Sequence, residues 1–265
     1  MLTDMDEPTR ALLVSPEAIA VDQDPAGVQG VKVVDREYQV WARPVTLAGG
    51  RAVVLFNPGE APVDATVRWS DLGLAAGQAR VRDLFARQDL GMPQDAFTAT
   101  VASHDSLFLL IQGTEPLPPA GDSYVSDLPW AHSAGFLGPV ERDAANGGAA
   151  AGDGPGLSMR GHAYARGLGT HASAVVLVHL GGRCTRFQAE VGLDDTADTA
   201  AEVAFSVRAD GKPIFDSGRM TTADPARAVD VALDGARELR LFAEPMGLHS
   251  AGHLVDWGNA RITCR

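Results

Sequence analysis

Short apolar runs, most of them alternating with polar residues and separated by turn signals, constrain this chain more than any other feature. Residues 63–69 alternate strictly, and residues 52–56 form a continuous apolar run that ends at an Asn-Pro-Gly turn. Asp-Gly pairs at 210–211 and 234–235 are signals for two-residue hairpins. Strands at intervals of about eight to twelve residues are typical of antiparallel sandwiches. The pattern therefore predicts an all-β chain with many short strands.

A proline-rich stretch at residues 115–121 divides the chain. Its prolines, with no strand pattern directly after them, predict a stiff, extended linker. Residues 29–114, before the linker, predict one antiparallel β-sandwich, and residues 122–265 predict an eight-strand jelly-roll. Residues 1–28 hold the one good helical pattern, at residues 1–20, with Thr3 and Asp4 as capping candidates and Pro16 as an interruption. Because this helix has no other helix to pack against, we interpret it as a severed remnant.

The composition argues against several classes of function. The formal net charge is −12, and a nucleic-acid partner would need a basic surface. No run approaches the about eighteen apolar residues of a membrane helix, so we expect no membrane partner. Residues 1–4 show neither the basic region nor the apolar core of a secretory signal.

The two cysteines, Cys184 and Cys264, have two interpretations. They could be buried free thiols, because cysteine often behaves as a small core residue. They could instead form a disulfide, because both lie in predicted strands of the second module and the chain has the character of a secreted protein.

Seven stretches of the second half stand in a fixed order. They are 124–130, 138–143, 164–172, 187–195, 209–212, 215–218 and 256–261. This half resembles the NPCBM family, also called family 51 carbohydrate-binding modules, over nearly all of 122–265. The resemblance implies a sugar-binding jelly-roll that carries a structural calcium ion.

The first half carries a second resemblance, through residues 12–25, residues 82–91 and the pair Val101 and His104. These stretches are similar to the last barrel helix and the C-terminal β-domain of glycoside hydrolase family 27, the α-galactosidases. The resemblance implies two β-sandwich modules preceded by a remnant helix of a (β/α)8 barrel. It also implies a retaining parent enzyme.

The catalytic aspartates of such a parent would lie on barrel strands before Met1, so we assign no catalytic residue to this chain. A retaining site needs two carboxylates about 5 Å apart at the C-terminal face of barrel strands. Asp22 and Asp24 follow the helical pattern beside Pro25, and we interpret them as turn residues.

Sugar binding needs an apolar platform for the ring and fixed polar groups for its hydroxyls. The candidate carbohydrate-binding residues are Trp130, Glu141, Arg142, His171, Asp256 and Trp257. The tryptophans would supply platforms, although each also suits a core position. The histidine can donate to one hydroxyl and accept from another, or serve a structural role. Ion pairs within the module would explain Glu141 and Arg142 equally well.

Asp194 and Asp195 follow a predicted strand and precede a polar loop, where carboxylates suit calcium. Acidic turns are common, so an ordinary turn is the alternative. The sequence departs from the family pattern at His253-Leu254, where an Asp-His pair is usual. Leu254 cannot replace an imidazole that touches sugar, and only His253 could do so.

Three hypotheses follow. In the first, the chain is a carbohydrate-binding, non-catalytic fragment of a secreted bacterial α-galactosidase-like glycosidase, with galactose-containing glycans and the parent barrel as partners. In the second, it is part of an active α-galactosidase whose barrel is missing from this chain. In the third, the second module only packs on the barrel and holds no sugar.

Overall fold

A computed structural model describes residues 5–247 and 252–265. The chain forms two compact units, one ending at Pro116 and one beginning at Leu117. Both units consist mostly of antiparallel strands, as the alternating sequence predicted. Among the described residues, no helix has the length and apolar character needed to cross a membrane.

The first unit begins with two short helices, α1 (Glu7–Leu13) and α2 (Pro16–Asp22). Asp6 caps α1, because its side chain accepts a hydrogen bond of 2.8 Å from the Thr9 amide. The interruption that the sequence indicates at Pro16 divides the helical stretch into these two helices. Pro16 has no N–H to continue α1 but suits the first position of a new helix, so the chain breaks there. Thr3 and Asp4, the predicted caps, lie outside the described residues.

Eight strands follow in the described part of the first unit. They are β1 (Val31–Asp35), β2 (Gln39–Pro44), β3 (Gly50–Phe56), β4 (Val63–Arg68), β5 (Arg80–Asp83), β6 (Gln88–Gly91), β7 (Ala96–Val101) and β8 (Ser106–Gln112). Six form one sheet in the order β1-β2-β3-β8-β5-β6, and β4 pairs with β7. Leu55, Trp69 and Leu109 are fully buried in the core of this unit.

The second unit contains strands β9 to β21. They are β9 (Gly121–Tyr124), β10 (His132–Ala134), β11 (Glu141–Arg142), β12 (Leu157–Met159), β13 (His162–Tyr164), β14 (Gly167–His171), β15 (Ala174–His179), β16 (Cys184–Leu193), β17 (Glu202–Ala209), β18 (Lys212–Thr221), β19 (Arg227–Ala232), β20 (Glu238–Pro245) and β21 (Leu254–Cys264). One sheet has the order β10-β15-β20-β17-β18. The other has the order β11-β14-β21-β16-β19, with β9 also paired to β21.

Strands β14 to β21 contribute four strands to each sheet, and their facing side chains form the main core. Strands β12 and β13 pair only with each other and cover the outer face of the sheet that contains β21. Two glycines of this sheet leave space for the β12–β13 pair. A side chain at Gly192 would lie 2.9 Å from the Met159 sulfur, and one at Gly258 would overlap the Tyr164 ring.

The two Asp-Gly signals have different outcomes. Asp210 and Gly211 both have positive φ and join β17 to β18 as a tight hairpin. Asp234 and Gly235 also have positive φ, but the strands on either side belong to different sheets. The predicted second hairpin is therefore wrong, because β19 pairs with β16 while β20 pairs with β15 and β17.

The segment that joins the units is attached at both ends. Glu115 pairs with the buried Arg51 of the first unit at 3.2 Å, and the side chain of Leu117 packs against Gly181 within the second unit. In the second unit, Cys184 and Cys264 form a disulfide between the start of β16 and the end of β21. The chain therefore has no free thiol.

Candidate functional site

Trp257 is a core residue. It lies on β21 opposite Leu168, is 2% exposed, and its ring packs edge-on to Phe205 at a centroid distance of 5.4 Å. Phe187 lies on another side of the indole, at 6.3 Å. The expectation that Trp257 offers a sugar platform is wrong, because the alternation of β21 directs this side chain between the two sheets.

Trp130 is half-buried and already in contact with another side chain. Its indole N–H donates to the Val125 carbonyl at 2.9 Å, and the Arg142 guanidinium carbon lies 3.6 Å from its ring centroid. Arg142 also donates to the carbonyl oxygens of Ser126 and Leu128. Arg142 therefore occupies one face of the Trp130 ring, while Arg142 itself is an exposed residue.

Glu141 is 3% exposed and lies on β11 opposite Gly169. One of its carboxylate oxygens accepts a 2.7 Å hydrogen bond from the Gly152 amide, and the other is buried without a hydrogen-bond partner. Asn146, which sequence reasoning missed, has the same character: its Nδ2 donates to the Pro139 carbonyl and its Oδ1 is buried without a partner. These two residues hold the 144–156 segment onto the sheet.

His171 and His253 lie together at the end of β14 and the start of β21. Their ring centroids are 6.3 Å apart, and both side chains are buried. His171 has its Nδ1 2.5 Å from the Ala172 carbonyl oxygen, while its Nε2 has no hydrogen-bond partner. The fold thus brings His253 beside the predicted His171, although the sequence places it one position earlier than the family's histidine.

Phe136 completes this end of the sandwich. Its ring lies 5.3 Å from that of His171, and half of the side chain is exposed. Sequence reasoning missed this residue because it lies outside any alternating run. An exposed aromatic beside two histidines is a combination that the predicted tryptophans do not provide.

Asp194 and Asp256 form a buried carboxyl pair on the outer face of the second sheet. They are 2% and 0% exposed, and each has one oxygen without a hydrogen-bond partner, Asp194 Oδ2 and Asp256 Oδ1. The pKa of Asp256 is raised well above its usual value, first by burial and then by the neighbouring Asp194 charge. Asp256 is therefore not an exposed sugar contact, because the β12–β13 hairpin covers it and the Ser158 amide donates to its Oδ2.

Asp195 has a different role from Asp194. Its carboxylate accepts hydrogen bonds from the Ser158 hydroxyl and from the Gly161 amide, the latter at 2.9 Å. The Ser158 hydrogen bond is the main cause of its lowered pKa. Asp195 thus fixes the turn of the β12–β13 hairpin. The carboxylate that faces Asp194 is Asp256, not the predicted neighbour Asp195.

The donor set of this pair fits a hard cation. Calcium takes carboxylate and carbonyl oxygens as ligands, and two partnerless oxygens in a dry environment are unfavourable unless a proton or a cation lies between them. In the described part of the chain, no group of three His, Cys, Asp or Glu side chains forms a candidate metal site. Asp194 and Asp256 are the residues that would hold the ion, with backbone or water oxygens as its other ligands.

The described residues contain no (β/α)8 barrel. Asp194 and Asp256 form a close carboxyl pair, but their side chains are 2% and 0% exposed.

Family models match both halves of the chain. Residues 121–263 match the NPCBM/NEW2 domain, and residues 35–111 match the alpha galactosidase C-terminal beta sandwich domain. A protein of Renibacterium salmoninarum named "Putative endo-alpha-N-acetylgalactosaminidase" is 38% identical over 152 residues, which is 57% of this chain and 10% of that protein.

An α-galactosidase of Oryza sativa subsp. japonica is 41% identical over 103 residues, 38% of this chain and 24% of the plant enzyme. The chain thus spans a quarter or less of the length of these two relatives. Among solved structures, the CBM51 from Clostridium perfringens GH95 in complex with methyl-galactose is 29% identical. It covers 54% of this chain and 99% of that chain, with a TM-score of 0.48.

Proposed function

The chain belongs to the NPCBM/NEW2 domain family, and on that premise we propose that its second unit binds sugars of galactose configuration. The match over residues 121–263 is the observation that carries this proposal. The names of the two curated relatives, which refer to α-linked N-acetylgalactosamine and galactose, support the choice of sugar. The first unit, an α-galactosidase C-terminal β-sandwich, accompanies the binding unit in the same chain.

The binding region in this proposal is the end of the sandwich where His171 and His253 meet. Both imidazoles are buried there, and the half-exposed Phe136 ring, 5.3 Å from that of His171, is the accessible group. Of the predicted contacts, Trp257, Asp256, Glu141 and His171 are buried and Trp130 and Arg142 are stacked together, so an accessible aromatic ring is what distinguishes this end of the sandwich.

A calcium ion at Asp194 and Asp256 is the second part of the proposal. The ion would have a structural role, because the pair lies under the β12–β13 hairpin and beside the loop that follows β16. Ion binding would remove the repulsion between two buried carboxylates and fasten the hairpin to the sheet. Two partnerless carboxylate oxygens support this assignment.

We further propose that the parent protein is a secreted, α-galactosidase-like glycosidase, and that this chain holds the catalytic barrel near its glycan. The disulfide suits an oxidising compartment outside the cell. Binding by a single module is weak, and tethering to a barrel raises the effective concentration of substrate. The chain by itself should leave an aryl α-galactoside intact, and turnover by the purified chain would contradict this part.

Calorimetry on the whole chain tests the binding proposal. Galactose and N-acetylgalactosamine are titrated with calcium present, and N-acetylglucosamine and glucose serve as comparison sugars. Heat with the two galactose-configured sugars, and weaker heat with glucose, is the expected result. If none of the four sugars gives heat, the binding proposal is wrong. The hypothesis that the second unit only packs on the parent barrel would then be favoured.

A further inference from the structure

A sugar site uses an accessible aromatic face, and neither tryptophan of the second unit is an exposed residue. Trp257 is enclosed by Phe187 and Phe205, and Trp130 is covered by Arg142. Among the phenylalanine, tyrosine and tryptophan side chains in the described residues of this unit, Phe136 is the only exposed one. Half of its surface is accessible, which is a large aromatic exposure for a residue with no packing role in the core.

The turn that carries Phe136 is held in place on several sides. The Phe136 amide donates to the His171 carbonyl at 3.3 Å, and the two rings lie 5.3 Å apart at an angle of 40°. A side chain at Gly135 would lie 3.0 Å from the Thr170 hydroxyl. Gly138, at φ +65°, would bring any side chain within 2.9 Å of the Gly148 backbone. A ring fixed in this way loses little conformational entropy when it binds.

The surroundings of Phe136 combine apolar and polar groups. Leu137, the next residue, is 37% exposed and extends the apolar surface. His171 lies directly against the ring, and His253 lies beside His171. A pyranose has one face of C–H groups, and that face matches an exposed aromatic ring. The two imidazoles are buried and support the ring from within the unit.

We infer that Phe136 is the platform on which the second unit holds the sugar ring. This inference rests on the proposed function, because it names the specificity-determining contact of that same site. The proposed platform is therefore a phenyl ring and neither of the two indoles that the sequence suggested. It lies at the end of the sandwich where the histidines meet.

An open depression elsewhere on the unit is less suited to this role. It lies beside the hairpin turn and is lined by Arg160, Asp194, Asp195, Thr199 and Thr222, among others. Its polar groups could reach hydroxyls, but no aromatic side chain lines it. A sugar there would gain hydrogen bonds that only replace those to water, without apolar contact.

The test compares two exposed phenylalanines in the whole chain. Phe136→Ala removes the proposed platform. Phe85→Ala is the matched control, since Phe85 is 39% exposed and its ring lies 5.6 Å from that of Phe108 in the first unit. Phe136→Tyr keeps an aromatic face. Thermal unfolding of each variant, followed by circular dichroism, establishes that the fold is intact before galactose is titrated by calorimetry with calcium present.

Phe136→Ala is expected to weaken galactose binding on the order of thirtyfold or more, the usual effect of truncating an aromatic hot spot. Phe85→Ala and Phe136→Tyr should bind as the unaltered chain does. If the unaltered chain binds galactose and Phe136→Ala binds equally well, the platform lies elsewhere, and the proposed function stands without it. If the unaltered chain binds no sugar, the proposed function itself fails and the platform falls with it.

Discussion

The guanidinium of Arg142 stacks on the indole of Trp130, with 3.6 Å between the guanidinium carbon and the ring centroid. The same guanidinium donates to the carbonyl oxygens of Ser126 and Leu128. It therefore ties β11 to the turn that follows β9. Because a planar guanidinium can stack and donate in two directions at once, lysine is not an equivalent at this position.

Arg142→Lys and Arg142→Ala should both destabilise the second unit, by about 1–3 kcal/mol, through lost hydrogen bonds and lost stacking. Urea denaturation, followed by tryptophan fluorescence, measures the change. Sugar affinity should stay the same in both variants. Tighter galactose binding by Arg142→Ala would show instead that uncovering the Trp130 face creates a platform there.

Trp257→Ala should destabilise the second unit by about 3–5 kcal/mol, because it leaves a cavity between the two sheets. Trp257→Phe should lose less, since an aromatic ring still fills part of the space. The free energy of unfolding from denaturant titration checks both values. A Trp257→Ala variant that keeps its stability but loses sugar binding would contradict the core position.

Calcium should stabilise the second unit through Asp194 and Asp256. At a free calcium concentration about one hundred times the dissociation constant, binding to the folded state contributes about 2.7 kcal/mol. For a unit of this size the unfolding midpoint should rise by on the order of 5–10 °C. Differential scanning calorimetry in calcium and in chelator measures this rise.

Asp256→Asn tests whether Asp256 or Asp195 is the carboxylate that binds calcium together with Asp194. In chelator it should be at least as stable as the unaltered chain, because it removes a buried charge beside Asp194. Calcium should not raise the unfolding midpoint of this variant, because one of the two proposed ligands is missing. Asp195→Asn is the control and should keep the calcium response, since the Asp195 carboxylate is bound to Ser158 and Gly161. A response lost with Asp195→Asn and kept with Asp256→Asn would reverse the assignment.

The double variant Cys184→Ser/Cys264→Ser should lose about 2–5 kcal/mol of stability, mainly because its unfolded chain is less constrained. Thermal unfolding in the presence and absence of a reductant measures the loss. The unaltered chain should show the same loss in reductant. A thiol count that finds two reactive thiols in denatured, unreduced protein would rule out the bond.

Glu115→Ala should destabilise the first unit by about 3–5 kcal/mol, because it leaves the buried Arg51 charge without its acidic partner. The double variant Arg51→Met/Glu115→Leu, which replaces both charges by apolar groups, should recover most of that loss. Glu7→Ala, which breaks the exposed ion pair with Arg10, should change little. Equal losses for Glu115→Ala and Glu7→Ala would contradict the role of burial.

Much of the fold could be predicted because alternation and turn chemistry are local properties. Residues 63–68 alternate and form β4, and the Asp-Gly pair at 210–211 forms a hairpin. The pair at 234–235 makes an equally tight turn, but its following strand joins the other sheet. Local sequence does not determine which sheet has an edge available for the next strand.

The functional residues were harder to predict because β21 is covered on both faces. Alternation correctly separates Asp256 from Trp257, but it cannot show which of the two faces meets water. Trp257 faces the other sheet, and Asp256 faces the β12–β13 hairpin. That hairpin has strands of three residues each, too short for a periodic signal. Phe136 has no periodic signal in the sequence, because it lies outside every strand.

The first and last strands of the second unit are neighbours, with Gly121 of β9 opposite Cys264 of β21. A unit whose first and last strands are adjacent can be inserted into another sequence without moving apart the two points of insertion. We therefore expect that a circular permutant of this unit, in which these two ends are joined, still folds.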